Sequence, residues 1–294
     1  MATTQDNPAL TGAVIPTFFF YVIPSILGLV ALTTASLVDG IFVGNYVGSD
    51  GLAAITLLIP YFTLMFGIGL MLAIGGTVRA GKYLGEKNTS AASAIFNKSL
   101  ISIFVFSLTT ALLSVFIEKS IFDALAAPQA MYTSMQEYFS IIRWGLIIQL
   151  VGMVLYYFIR LDGHPILATT ALLTGALLNI LLDAYFIGYL SLGLSGAAYA
   201  TSIAQTIQFV IMCYYFLSPE RKLQLSVSIN NWKEILLSVY NGLSEFINEI
   251  SAGLIFLLLN WLMVSRHGID GVAAFTVINY LIFLSLMLSY GVAD

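Results

Sequence analysis

The chain has 294 residues, of which 59% are hydrophobic and only 9% are charged, and its mean hydropathy is +0.94. Since a soluble domain has about a quarter of its residues charged, this composition excludes water as the main solvent and indicates an integral membrane protein. The net charge of −4 leaves no basic surface for nucleic acid, and the single cysteine, Cys213, excludes a disulfide framework or a thiolate metal site.

Eight apolar runs, bounded by polar residues or by Gly and Pro, predict eight transmembrane helices. Each run is long enough to approach or exceed the ~20 residues that cross a bilayer core. In chain order we expect helices at 13–43, 52–80, 94–117, 134–159, 166–190, 193–217, 235–264 and 271–294. The last run reaches Asp294 without a loop or a basic flank, so we expect a longer protein in which this helix is completed.

Basic residues are concentrated on one side of the predicted bundle. With a cytoplasmic N-terminus, the outer loops hold only Lys119 and Arg266. The inner side holds Arg79, Lys82, Lys87, Lys98, Arg160, Arg221, Lys222 and Lys233. This bias predicts that the N-terminus is cytoplasmic. Arg143 lies within the fourth span, where we expect it to snorkel or to pair with Glu137.

An internal repeat relates two parts of the chain that are 220 residues apart. Residues 48–56 and 268–276 are identical at six of nine aligned positions, and both segments join one long span to the next across an outer loop. The repeat unit is therefore six spans, and its two copies have the same orientation. We predict an all-α membrane protein with a six-helix lobe at 1–217, a cytoplasmic linker at 218–234 and the first two helices of a second, pseudo-symmetric lobe at 235–294. The complete architecture would have twelve helices.

Four polar side chains fall at similar depth in the outer half of the predicted membrane region. Asp39 lies ~6 Å inside the outer end of its span, Asp183 ~10 Å and Thr201 ~12 Å, and Asn179 shares a helix face with Asp183. A carboxylate at such depth costs at least ~2.5 kcal/mol and usually marks a pathway. Paired acids with amide and hydroxyl oxygens suit a proton or Na⁺ site. The alternatives are an interfacial Asp39, a structural interhelical hydrogen bond from Asn179 and Asp183, and a Thr201 hydroxyl bonded to its own helix.

The seventh span carries a second acidic pair, Glu245 and Glu249, also four residues apart. Counted from Ile235, these residues lie mid-membrane, which suggests a substrate site or a second protonation site; if the helix begins later, Glu245 is interfacial. Pro24 interrupts the first span fifteen residues before Asp39. It removes a backbone hydrogen bond and permits either a functional bend or a static kink.

These residues together carry a resemblance to a known family of transporters. The matching phrases are Pro24 with 38–44, then 51–54, 179–183 and 196–201. They resemble the multidrug and toxic compound extrusion (MATE) family, and residues 241–251 resemble its DinF/MepA-like branch. Ser244 departs from the pattern, since many relatives have Pro there, so a bend of the seventh helix does not carry over.

The resemblance implies a V-shaped transporter of two six-helix lobes in a bacterial inner membrane. It would export organic cations in exchange for H⁺ or Na⁺, need no cofactor besides the coupling ion, and act as a monomer surrounded by membrane lipid. By similarity the cation site would consist of Asp39, Asn179, Asp183 and Thr201, and any metal ion would be a Na⁺ held there.

Other functions fit the sequence less well. The chain has no glycine-rich phosphate loop for ATP, and both histidines fall in predicted loops, so an intramembrane enzyme lacks a catalytic cluster. The alternative we retain is a lipid-linked oligosaccharide flippase of the same broad fold. Such a protein would be expected to line its cavity with Arg and Lys, whereas this cavity offers acids.

The predicted orientation can be tested by thiol labelling. A cysteine introduced at Ser49 should react with an impermeant thiol reagent added outside intact cells, because the charge bias places the first loop there. A cysteine at Ser90 should react only after the membrane is permeabilised. The opposite pattern would reverse the orientation.

Overall fold

The computed structural model is helical and contains no strand in the residues it describes, which are 13–225 and 232–293. Side chains are described up to Gly268 and, beyond it, at 271, 274–276, 278, 279 and 282. Seven helices within this part of the chain are long and apolar enough to cross a membrane. The expectation of an all-α membrane protein is confirmed.

The helices follow the chain in this order. They are α1 (Val14–Tyr46), α2 (Ser49–Gly85), α3 (Thr89–Phe116), a short α4 (Glu118–Ala124), α5 (Tyr132–Leu161), α6 (Pro165–Asp183), α7 (Gly193–Cys213), a short α8 (Lys233–Asn241) and α9 (Leu243–Ala293). A 3₁₀ turn precedes α5 (Gln129–Met131) and another follows α7 (Tyr214–Leu217), while a π-helix (Ala184–Tyr189) continues α6. We call the end of the bundle with residues 47–48, α4 and Gly268 the outer end, and the opposite end the inner end.

The seventh predicted span is not the single helix that we expected. A run of 235–264 is wrong because the helix breaks at Gly242, between α8 and α9. A Cβ atom at position 242 would overlap the backbone of Met71 on α2, so only glycine permits this approach. The helix thus breaks at a glycine although the Pro of many relatives is absent.

The eighth predicted span, 271–294, continues α9 beyond a kink. Gly268 adopts φ 65° and ψ −154° and divides α9 into two arms, α9a (243–267) and α9b (269–293). The backbone of α9b is helical to Ala293, whereas Asp294 and most side chains of this arm lie outside the described part. A positive φ favours glycine, which explains why this turn falls at Gly268.

The second span, α2, packs along its length against α8 and α9a, which run antiparallel to it. Each step of four residues along α2 from the inner end is matched by four residues along α8 and then α9a. From the inner to the outer end the contacts are Arg79 with Glu234, Gly75 with Ser238, Met71 with Gly242, Gly67 with Phe246, Thr63 with Gly253 and Thr56 with Asn260. The break at Gly242 therefore does not redirect the chain.

Glycines bring the two backbones of this pair close together. A Cβ atom at Gly75 would overlap the carbonyl oxygen of Ser238, and one at Gly67 would lie 3.2 Å from the Cβ of Glu249. Small residues have this role in membrane helices, where association depends on close packing because lipid provides no hydrophobic driving force. At the inner end Arg79 and Glu234 close the pair with an ion pair.

Two apolar clusters fill the bundle, one in each half. The inner cluster centres on Phe96, Phe158 and Tyr215, which are all fully buried. The outer cluster includes Leu58 and Phe139. Large apolar side chains such as those of α3 and α6 are instead exposed on the outside of the bundle, where lipid would contact them.

Arg143 forms a different ion pair from the one that we expected. Its guanidinium is 4% exposed and pairs with Glu118 of α4, and its Nε donates to the Phe139 carbonyl oxygen at 3.1 Å. Glu137 instead accepts from the backbone and hydroxyl of Ser195. The pairing with Glu137 is wrong because residues six apart do not share a helix face. Arg143 therefore fixes the outer short helix to the fourth span.

The close α2–α8 contact predicts opposite effects for two glycine substitutions in α2. Gly75→Ala should destabilise the protein by about 1–3 kcal/mol, the usual range for overpacking, because the new methyl group overlaps Ser238. Gly85→Ala is the matched control, since nothing lies within 4 Å of its Cβ position. Thermal unfolding in detergent measures both, and equal midpoints would contradict the contact.

Candidate cation site

Two buried carboxyl groups face each other between α1 and α6. Asp39 comes from α1 and Asp183 is the last residue of α6, and their side chains lie within hydrogen-bonding reach. Asp183 is completely buried, and the Oδ1 atom of Asp39 is buried as well. In the described residues, no N–H or O–H group donates to these atoms. Two ionised carboxylates repel each other here, so the pair requires a shared proton or a bound cation.

The other two predicted site residues form a contact on the next pair of helices. The Nδ2 atom of Asn179 on α6 lies 3.4 Å from the Oγ1 atom of Thr201 on α7 and donates to it. Asn179 lies four residues before Asp183, on the same face of α6. The structure thus arranges the four residues as two pairs that share one face of α6.

The π-helix directly after Asp183 is a feature that sequence reasoning missed. It covers Ala184–Tyr189, and the Leu190 N–H then bonds to the Tyr185 carbonyl at 2.9 Å. In a π-helix each carbonyl accepts from the residue five positions on instead of four, which widens the turn, and such turns are frequent at functional sites. No local sequence signal marks it, because the segment reads as an ordinary apolar helix end.

The inner half of α1 is anchored close to Pro24. The helix runs from Val14 to Tyr46 and includes Pro24. The next residue, Ser25, bonds to the Tyr21 carbonyl at 2.8 Å and accepts a 2.6 Å hydrogen bond from Arg160 of α5. Arg160 is 7% exposed. Sequence reasoning counted Arg160 only as an inner-side charge and missed this contact with the residue after the proline.

The second acidic pair, Glu245 and Glu249, lies on α9a against the middle of α2. Gly67, which faces Glu249, is the central residue of α2 (Ser49–Gly85). Both glutamates are partly buried, and no ion pair neutralises either of them in the described part of the chain. Nor does a hydrogen bond there join them to Asp39 or Asp183, so they form a separate acidic cluster.

An apolar cavity of about 470 Å³ lies beside this cluster, between α2, α3, α4 and α9a. Its wall on α9a begins at Ile250, the residue after Glu249, and its wall on α2 includes Pro60 and Leu64. The described residues contain no group of three or more His, Cys, Asp or Glu that could hold a metal ion. A Na⁺ at the first site would therefore depend on the carboxylate, amide and hydroxyl oxygens.

Comparisons with known proteins agree with this architecture. The MatE family model matches residues 24–185, more than half of the chain. The multidrug export protein MepA of Staphylococcus saprophyticus is 25% identical over 86% of this chain, and the probable multidrug resistance protein YoeA of Bacillus subtilis is 23% identical over 88%. This chain spans 56% and 58% of those two proteins.

A solved structure extends the similarity to three dimensions. The MATE multidrug transporter DinF-BH, whose structure was solved as a complex with a drug, superimposes with a TM-score of 0.88 and 26% identity. The match covers 95% of this chain and 63% of that structure. The fold described above is thus shared by a protein whose structure contains a bound small molecule.

Proposed function

Because this chain belongs to the MatE family, whose members are transporters and not enzymes, we propose that it acts in a secondary antiporter that exports organic cations from the cytoplasm. The exchanged ion is H⁺ or Na⁺. The observation that carries the proposal is the Asp39–Asp183 pair, since two facing carboxyl groups without a donor require a positive charge between them.

The coupling ion acts through the contact between α1 and α6. With a proton or Na⁺ bound, the Asp39 and Asp183 carboxyl groups attract a common charge and hold the two helices together. When the ion leaves, like charges face each other in a buried place and the contact weakens. Asn179 and Thr201 supply the amide and hydroxyl oxygens that a Na⁺ would need.

Pro24 gives α1 a point at which this weakening can become movement. The residue lacks an N–H, so the helix loses one backbone hydrogen bond there and bends more easily. The Arg160–Ser25 hydrogen bond holds the helix next to this point, on the inner side of Asp39. We propose that the outer half of α1 moves with the ion while its inner half stays.

The substrate is held by the second acidic cluster. Glu245 and Glu249 attract a cation, and the apolar walls beside Ile250 accept the hydrocarbon part of an organic cation. Carboxylates with apolar surroundings suit hydrophobic cations because each contributes to binding one part of the molecule. The relatives that are called multidrug export proteins are consistent with such a broad substrate class.

The proposed arrangement places ion and substrate in different lobes. Residues 1–217 form the lobe with the ion site, 218–234 the cytoplasmic linker, and 235–294 the beginning of the second lobe. The protein would lie in a bacterial inner membrane with a cytoplasmic N-terminus and work as a monomer. The flippase alternative is weaker, because the buried Arg143 and Arg160 are engaged with Glu118 and Ser25 instead of lining a cavity for a diphosphate.

Neutralising either carboxylate of the pair should abolish gradient-driven efflux. Asp39→Asn and Asp183→Asn remove a charge that binds the coupling ion, while Asp50→Asn, an exposed residue at the outer end, is the matched control. The measurement is efflux of a fluorescent organic cation from vesicles with an imposed H⁺ or Na⁺ gradient. Membrane abundance, measured by immunoblot, should stay near that of the wild type.

The gradient that drives efflux in the wild type identifies the ion. Full efflux by both pair variants would show that the carboxyl groups have only a structural role. Loss of efflux in Asp50→Asn as well would show that the assay does not separate the pair from other acids.

A further inference from the structure

Two threonines contact each other at positions that the internal repeat makes equivalent. The Oγ1 atoms of Thr56 on α2 and Thr276 on α9b lie 2.6 Å apart, and the residues are 220 positions apart in the chain. The repeat relates residues 48–56 to 268–276 with the same offset. A contact between equivalent residues arises where a two-fold axis passes, as at an isologous interface. The Thr56–Thr276 hydrogen bond therefore marks the pseudo-two-fold axis between the lobes.

A third residue completes this buried polar group. The Nδ2 atom of Asn260 on α9a donates to the Thr56 carbonyl oxygen at 3.1 Å. Thr56, Thr276 and Asn260 are 1%, 4% and 1% exposed. We call these three residues the outer clamp. The Asn260 contact breaks the symmetry, because the position 220 residues earlier is Gly40, which has no side chain that could donate.

The outer clamp closes the space between the lobes near the outer end. Thr56 lies seven residues from the start of α2, or ~10 Å at 1.5 Å per residue, and Thr276 lies eight residues after Gly268, or ~12 Å. One turn deeper on α9b is Asn279, which is 6% exposed and whose Nδ2 atom has no acceptor in the described residues. The clamp thus separates a buried polar side chain from the outer end.

We propose that the outer clamp holds the lobes together while the transporter is closed to the outside, and that it breaks each time the transporter opens outward. This inference rests on the proposed function. When two lobes move apart symmetrically, equivalent residues on the axis separate by twice the displacement of each lobe. A hydrogen bond is lost beyond about 3.5 Å, so about half an ångström of movement by each lobe breaks the contact.

The first test replaces the two threonines by cysteines. In the expressed gene product with Cys213→Ser, Thr56→Cys with Thr276→Cys should form a disulfide on mild oxidation, because side-chain atoms 2.6 Å apart are compatible with its geometry. Oxidation should stop efflux and reduction should restore it. Thr56→Cys with Ile278→Cys is the matched control, since Ile278 is 55% exposed and should not crosslink.

The second test removes the hydroxyl groups without changing the shape. Thr56→Val with Thr276→Val deletes both partners of the hydrogen bond, and Asn279→Cys in the same protein reports opening through its reaction with an impermeant thiol reagent. Loss of one hydrogen bond should speed labelling about fivefold relative to Asn279→Cys alone. Thr63→Val, further along α2, is the control and should leave the rate unchanged.

Each result bears on the outer clamp separately from the proposed function. Absence of the Thr56–Thr276 disulfide, unaltered efflux after complete crosslinking, or unaltered labelling of Asn279→Cys in the double valine variant would overturn the clamp. Crosslinking and labelling need no substrate, so they can succeed even where the wild type shows no drug efflux. That last result would contradict the proposed function alone.

Discussion

The close packing of α2 against α8 and α9a is the constraint on which the rest of the structure depends. Gly75 and Gly242 let the backbones meet at the inner half, where any larger residue would overlap a carbonyl oxygen. This approach fixes Glu249 beside the middle of α2 and brings Thr56 to Asn260 and Thr276. Since lipid provides no hydrophobic force to hold helices together, such contacts and the polar bonds at both ends must provide it.

The acidic groups gain their meaning from this frame. The Asp39–Asp183 pair lies between α1 and α6, away from the α2–α9a line, whereas Glu245 and Glu249 lie on that line. A change of charge at the first pair alters how α1 packs, and α1 also packs against α9. The ion site and the boundary between the lobes therefore share one helix, which gives a physical route from the proposed ion binding to the proposed movement.

Much of this arrangement could be predicted from the sequence, because membrane spans are read from composition and depth from residue counts. Six spans and the grouping of Asp39, Asn179, Asp183 and Thr201 on neighbouring helices follow from those two rules. The break at Gly242, the π-helix after Asp183 and the Arg143–Glu118 pair could not be predicted. Each depends on which helices become neighbours, and periodicity within one helix does not contain that information. The repeat offset was visible in the sequence, but the contact between its equivalent threonines was not.

The glycine contacts along α2 also restrict how the lobes can move. Domain movements divide into shear, in which packed helices slide along each other, and hinge motion, in which they separate at one end. With carbonyl groups packed directly against Gly75 and Gly242, sliding α2 along its axis would drive neighbouring side chains, such as that of Met71, into the opposing backbone. Separation at the outer end meets no such obstacle, because there the contacts are side-chain hydrogen bonds. Passage of substrate would thus require the helices to splay apart about an inner fulcrum, and the register between the lobes would be preserved throughout the transport cycle.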